Sequence, residues 1–200
     1  LVWIDGSGSK LEFNFGRPDV FYRGSATTTF SYTSHTDGNS KVGHVDIGFS
    51  GNPFASICNQ DLHAYDGYES VQGAGVSVRI VPWRDRDVFA IEITDNRTEP
   101  SPITVDLKRM QPDLTTNLYH RATTQSQQNN MLVLKQVFSE KCDTGMTVND
   151  FYCASACIIA VQGRTATATD SKFTLPAGKG TFAIYIGSAA SMASKEDVEA

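Results

Sequence analysis

Catalysis and metal binding need groups that converge, so the informative residues are those whose types and spacing would let them meet. His44-Val45-Asp46 sets an imidazole and a carboxylate two residues apart. On a strand that spacing puts both on one face, where they could form a two-ligand metal edge. The preferred reading is plainer: a solvated strand face opposite Val45 and Ile47. Asp85 and Asp87 alternate with Arg84 and Arg86. Paired carboxylates are the machinery of glycoside hydrolysis, but alternating signs at this spacing read as an exposed turn that neutralises itself. His35, His63 and His120 are scattered. The chain has no Gly-x-Ser-x-Gly elbow, His-Glu-x-x-His pair, phosphate-binding glycine loop or EF-hand loop. No catalytic residue, metal or cofactor is therefore expected.

Aromatic side chains offer a different chemistry, because their apolar faces stack on sugar rings. Trp3, Tyr22, Tyr65, Tyr68, Trp83 and Tyr119 are the candidates. In a β-rich protein such residues also fill cores and cover edges. Trp83 beside Arg84 at a strand end is the best single choice, with Tyr65 as its companion, so Trp83, Arg84 and Tyr65 form the expected carbohydrate-binding set. Cysteines occur at 58, 142, 153 and 157. A zinc site would want short-spaced ligand pairs on two sides, and only Cys153/Cys157 supplies one. Buried thiols, or one disulfide closing the short loop from Cys142 to Cys153, are the open readings.

These residues need elements to position them, and the clearest lie between Gly75 and Lys108. Apolar residues alternate in Val76–Ile80, Phe89–Ile93 and Ile103–Leu107, the period of a strand with one buried face. The charged run at 84–87 and the stretch Asp95–Pro102 break them, since proline cannot donate to a ladder and Asn/Asp favour turns. An antiparallel meander is expected here. Upstream, Leu1–Ile4 and Leu11–Phe15 flank a Gly/Ser turn and read as a hairpin. Ala26–Tyr32 and Val42–Phe49 read as two more strands, with Val45, Ile47 and Phe49 on one face. Between Asn59 and Gly73 only Leu62–Tyr65 reads as a strand, and Met110–Asn130 as a long polar connection. Met131–Phe138 reads as a strand buried on both faces. Phe151–Gln162 fits helix or strand, and its Ile158, Ile159 and Val161 favour strand. Thr181–Ile186 closes the series, and Ser194–Ala200 has the pattern of a first helical turn.

About a dozen strands in 200 residues, with frequent turn signals and no internal repeat, give an all-β chain: one large antiparallel β-sandwich. A net charge of −5 without a basic cluster argues against nucleic acid. The longest apolar run, Ala154–Val161, is too short to span a bilayer. The surface, rich in Ser, Thr, Gly and Asn, leans toward a secreted protein.

The run from Arg86 to Arg97, with Ile103–Leu107 after its proline break, resembles a segment of the N-terminal β-sandwich that precedes an α/α toroidal barrel in glycoside hydrolases of families 65 and 95. Phe151–Val161, Gln162-Gly163-Arg164 and Thr181–Ser188 resemble the closing strands of the same domain. The resemblance implies a secreted or periplasmic bacterial protein in which these residues form a non-catalytic domain, packing on a helical barrel of the same polypeptide and shaping a carbohydrate active site. It carries over no catalytic residue, because the acid and base of such hydrolases belong to the barrel. On this reading the chain is expected to continue into that barrel, through the helical turn at its end. A self-standing carbohydrate-binding module is the alternative, and an enzyme using Asp85 and Asp87 a third.

Overall fold

A computed structural model describes residues 2–22, 38–56, 58–83, 85–109, 114–115, 119–128, 131–140, 153–169 and 171–191. Among them are fifteen strands and no helix. In chain order they are β1 (Val2–Ile4), β2 (Lys10–Tyr22), β3 (Gly38–Phe49), β4 (Asn59–His63), β5 (Tyr68–Gln72), β6 (Val76–Pro82), β7 (Val88–Asp95) and β8 (Ile103–Lys108). They continue as β9 (Leu114–Thr115), β10 (Tyr119–Gln128), β11 (Met131–Glu140), β12 (Cys153–Gln162), β13 (Thr167–Thr169), β14 (Lys172–Leu175) and β15 (Gly180–Ser191). Two antiparallel sheets result: a six-stranded sheet ordered β1-β2-β3-β8-β14-β13 and a nine-stranded sheet ordered β4-β5-β6-β7-β15-β12-β11-β10-β9. The chain is the all-β sandwich its alternation predicts.

The core lies between the sheets and is filled by one parity of each strand. Leu11, Phe13 and Phe15 of β2, Val45, Ile47 and Phe49 of β3, and Ile103, Val105 and Leu107 of β8 face inward from the six-stranded sheet. Val76, Val78 and Ile80 of β6, Ile91 and Ile93 of β7, Leu132 and Leu134 of β11, and Phe182, Ile184 and Ile186 of β15 are their buried counterparts in the other. Burying a large aliphatic or aromatic side chain contributes about 1.5–3 kcal/mol, so this alternation fixes the register. At Gly43 the sheets are close enough that an added Cβ would stand 3.0 Å from both Cβ and Sγ of Cys157. Burial pushes the Cys157 thiol up to about 12. It is a packing group and not a reactive one.

Several local expectations need correction. The segment after β7 does not extend a meander: β8 crosses to the other sheet and pairs with β3 and β14. Leu62–Tyr65 is not the strand; β4 ends at His63, and Tyr65 sits in the turn to β5. The polar stretch 110–130 contains β10, which pairs with β11 at ten positions, so ladder hydrogen bonds prevail over weak side-chain periodicity. Within β11 only one face is buried, carrying Leu132, Leu134 and Gln136. Segment 153–162 is a strand. The strand expected at 26–32, Cys142, and the helical turn at 194–200 lie outside the described residues, as does the side chain of Cys153.

Two of the chain's passages between sheets, after β3 and after β7, are gathered by one arginine. Arg97 forks onto buried Asp95, with Nε 2.9 Å from Oδ1 and Nη2 2.7 Å from Oδ2, while Nη1 donates to the Ser50 carbonyl at 2.6 Å and to Ser101 Oγ at 3.0 Å. The ends of β3 and β7 and the approach to β8 are thereby pinned together. Burial raises the pKa of Asp95, but the hydrogen bonds and charge of Arg97 outweigh it and hold the carboxyl below its ordinary value. A carboxyl with a depressed folded pKa stabilises the fold above its unfolded pKa, and that contribution is lost as pH falls through the folded value. We therefore expect Arg97→Met to cost about 3–5 kcal/mol at neutral pH, leaving a buried charge without its partner. Urea denaturation at stepwise lower pH should show the gap to wild type closing below the ordinary Asp pKa; a pH-independent gap would contradict this account.

Candidate functional site

Outward-facing residues carry the remaining chemistry, one set on each sheet. On the six-stranded sheet, strand register lines up a row across all six strands: Trp3, Glu12, Asp46, Asp106, Lys172 and Thr169. A second row sets Asn14, His44 and Lys108 side by side. Three carboxylates on adjacent strands repel unless compensated, and the neighbours supply the compensation. Lys108 Nζ lies 2.6 Å from Asp46 Oδ2 and 3.5 Å from Asp106, and Lys10 Nζ lies 3.8 Å from Asp46 Oδ2. The Trp3 indole N–H donates to Glu12, and Ser171 donates to Asp106 at 3.3 Å.

His44 sits inside this group. Its Nε2 is 2.6 Å from Asp46 Oδ1, its Nδ1 is 2.7 Å from Asn14 Oδ1, and its ring lies 5.9 Å from that of Trp3. The expected solvated face is correct in direction and wrong in solvation, because Asp46 is only 5% exposed. Crowding by long neighbours on adjacent strands removes the water. Burial pulls the Asp46 pKa up, but Lys108 and then His44 outweigh it and hold the carboxyl low. Burial lowers that of Lys108, and Asp46 and Asp106 more than reverse it. Sequence reasoning found His44 and Asp46 but missed Glu12 and Asn14, which only the β2/β3 register brings opposite them.

On the nine-stranded sheet, the outer face of β5, β6 and β7 forms an open depression of about 290 Å³ lined by Tyr68, Ser70, Gln72, Ser77, Arg79 and Glu92, among others. Ser70 is opposite Arg79, Gln72 opposite Ser77 and Arg79 opposite Glu92. The Arg79 guanidinium lies 4.3 Å from the centre of the Tyr68 ring, which stacks on His63 at 4.1 Å. The guanidinium carbon thus sits within cation–π distance of the Tyr68 ring.

The expected sugar-binding aromatics flank this face. Trp83, 56% exposed, is in the turn between β6 and β7, and Tyr65, fully exposed, is in the turn between β4 and β5. Because Glu69 pairs with Ile80 and His63 with Tyr68, both turns fall at the same end of the sheet. Arg84 lies outside the described residues. The neighbouring charged turn is exposed as expected, but it does not simply neutralise itself: Asp87 Oδ2 is 2.6 Å from Arg17 of β2, which also donates to the Ser188 carbonyl at 3.1 Å. That contact bridges the sheets and gives Asp87 a structural role.

Fold and surface together define a two-sheet antiparallel β-sandwich with one polar, aromatic-edged outer face and one charged outer face. No family model matches the chain, and no curated protein matches it. No helix among the described residues is long and apolar enough to cross a membrane. We expect Lys108→Met to destabilise the protein by about 1 kcal/mol, since a half-exposed ammonium is partly screened while the carboxylate it leaves behind is buried. Denaturant titration in low salt and in about 1 M salt should show the loss shrinking as charges are screened; no loss in low salt would show that Lys10 and His44 suffice for Asp46.

Proposed function

We propose that this chain is a non-catalytic β-sandwich domain of a secreted or periplasmic bacterial carbohydrate-active protein, and that it contacts glycan through the outer face of β5–β7. The observation that supports this most is the depression holding Arg79 over Tyr68 among Ser70, Gln72, Ser77 and Glu92, with Trp83 and Tyr65 exposed at the same end of the sheet. A sugar presents vicinal hydroxyls and apolar C–H faces. Guanidinium, carboxylate and amide groups bind the hydroxyls in pairs, and an exposed indole or phenol ring takes the C–H face. Neither a nucleophile–base pair nor an acid pair with a substrate cavity accompanies these groups among the described residues, so binding rather than hydrolysis is the activity proposed.

In the longer protein that the sequence resemblance suggests, the domain packs on a helical barrel and helps shape its carbohydrate cleft. Leu62, Tyr65 and Trp83, the large exposed apolar side chains among the described residues, serve either a sugar or that barrel. Glycan arrays followed by calorimetry on the 200-residue chain separate the two. The glycan reading predicts saturable binding that Arg79→Ala and Trp83→Ala each weaken about tenfold, the ratio that corresponds to 1.4 kcal/mol, with no new reducing ends released. Absence of glycan binding, or binding indifferent to both substitutions, would leave these residues to the barrel interface; release of reducing ends would overturn the non-catalytic assignment.

A further inference from the structure

The charged face of the other sheet contains a donor set that the glycan reading does not use. Glu12, His44 and Asp46 bring one ligand atom each within 4.8 Å of one another. Each has one donor atom already tied to a neighbour. The Trp3 N–H engages Glu12 Oε2, Lys108 engages Asp46 Oδ2 and Asn14 Oδ1 engages His44 Nδ1. The other donor atoms are one carboxylate oxygen of Glu12, and Oδ1 of Asp46 and Nε2 of His44, which contact each other at 2.6 Å, all on the outer side of β2 and β3. Metal-binding imidazoles characteristically donate their second ring N–H to a carbonyl or carboxylate, which fixes the tautomer and aims the free nitrogen. Asn14 Oδ1, 2.7 Å from Nδ1, is placed to accept such a bond.

The contact between His44 Nε2 and Asp46 Oδ1 makes the same point. His44 Nε2 lies 2.6 Å from a carboxylate oxygen while Nδ1 is occupied by Asn14 Oδ1 at 2.7 Å. A hydrogen bond shares one proton between these two atoms, and a divalent cation bound there would take that proton's place. Charge also favours a cation: Glu12, Asp46 and Asp106 carry three negative charges against two from Lys10 and Lys108. We propose that Glu12, His44 and Asp46 bind one divalent transition-metal ion of the zinc class, with water completing its shell.

Donors around such an ion, bound at about 2.0–2.2 Å, stand roughly 3.3 Å apart. The His44–Asp46 pair therefore opens slightly, and donor atoms that stand up to 4.8 Å apart close toward it. An imidazole beside two carboxylates prefers zinc, cobalt or nickel over magnesium or calcium, which take oxygen ligands. The site is on the opposite face of the sandwich from the glycan depression, so either assignment can fail alone.

The test is titration of the metal-free chain with Zn2+ by calorimetry and with Co2+ by visible absorption. One equivalent should bind and persist in excess Mg2+, and the cobalt spectrum should show d–d bands without a sulfur charge-transfer band. Folding of each variant is checked by circular dichroism. His44→Ala should abolish binding and Glu12→Gln should weaken it, while Asn14→Ala, a positioning change, should weaken it about tenfold or more. His63→Ala should leave it unchanged. No saturable binding, binding that survives both His44→Ala and Glu12→Gln, or a sulfur charge-transfer band would overturn the proposal.

Discussion

The pairing of β2 with β3 ties the core to the charged outer surface. Burying Leu11, Phe13 and Phe15 beside Val45, Ile47 and Phe49 leaves Glu12, Asn14, His44 and Asp46 no choice of face. A one-residue slip of β2 would bring Glu12 and Asn14 into the core and expose Leu11, Phe13 and Phe15. Register is thus enforced by burial, and the geometry of the charged cluster follows from it. The turn before β2 fixes the end of the same ladder: Asp5 Oδ1 accepts from the amides of Ser9 and Lys10, both at 2.8 Å, which sets Trp3 opposite Glu12. Core packing and surface chemistry are two consequences of one pleat.

The nine-stranded sheet uses the same logic with a different outer composition. Inward Val71, Val78, Ile80, Ile91 and Ile93 are matched outward by Ser70, Ser77, Arg79 and Glu92. Hairpin turns then bring Tyr65 and Trp83 to one end. The sheets are held to one another by buried apolar packing and by two arginines: Arg97 at the chain crossings, and Arg17 reaching Asp87 from β2. Such clamps fix where the loops start and hence where the exposed rings stand.

The sandwich was legible in the sequence because alternation is strong wherever one strand face is buried, as in Val76–Ile80 and Ile103–Leu107. It faded where neither face carries a continuous apolar set. The strand at 119–128 reads YHRATTQSQQ, with no periodic apolar stripe, and it is specified by ten ladder partners on β11 that local pattern does not encode. Strand Tyr68–Gln72 was missed for a related reason, since Val71 is its one buried residue. Trp83 stands out in the sequence through Arg84 beside it at a strand end, whereas Tyr65 reads as part of a strand and stands instead in an exposed turn. Tyr68 and Arg79 were not joined, because their contact exists only across β5 and β6. His44 and Asp46 were visible as a strand-face pair, whereas Glu12 and Asn14 needed a register spanning some thirty residues. Short-range pattern reveals faces; partners across strands require the topology.

The account rests on the outer face of β5–β7 being the recognition surface. Hydrogen–deuterium exchange with and without a bound oligosaccharide addresses this directly, because ordering of side chains over a sheet slows opening of the strands beneath. Protection concentrated in β5, β6 and the turn containing Trp83, with β2 and β3 unchanged, is the result predicted. Protection confined to the six-stranded sheet, or spread evenly over both sheets, would contradict it.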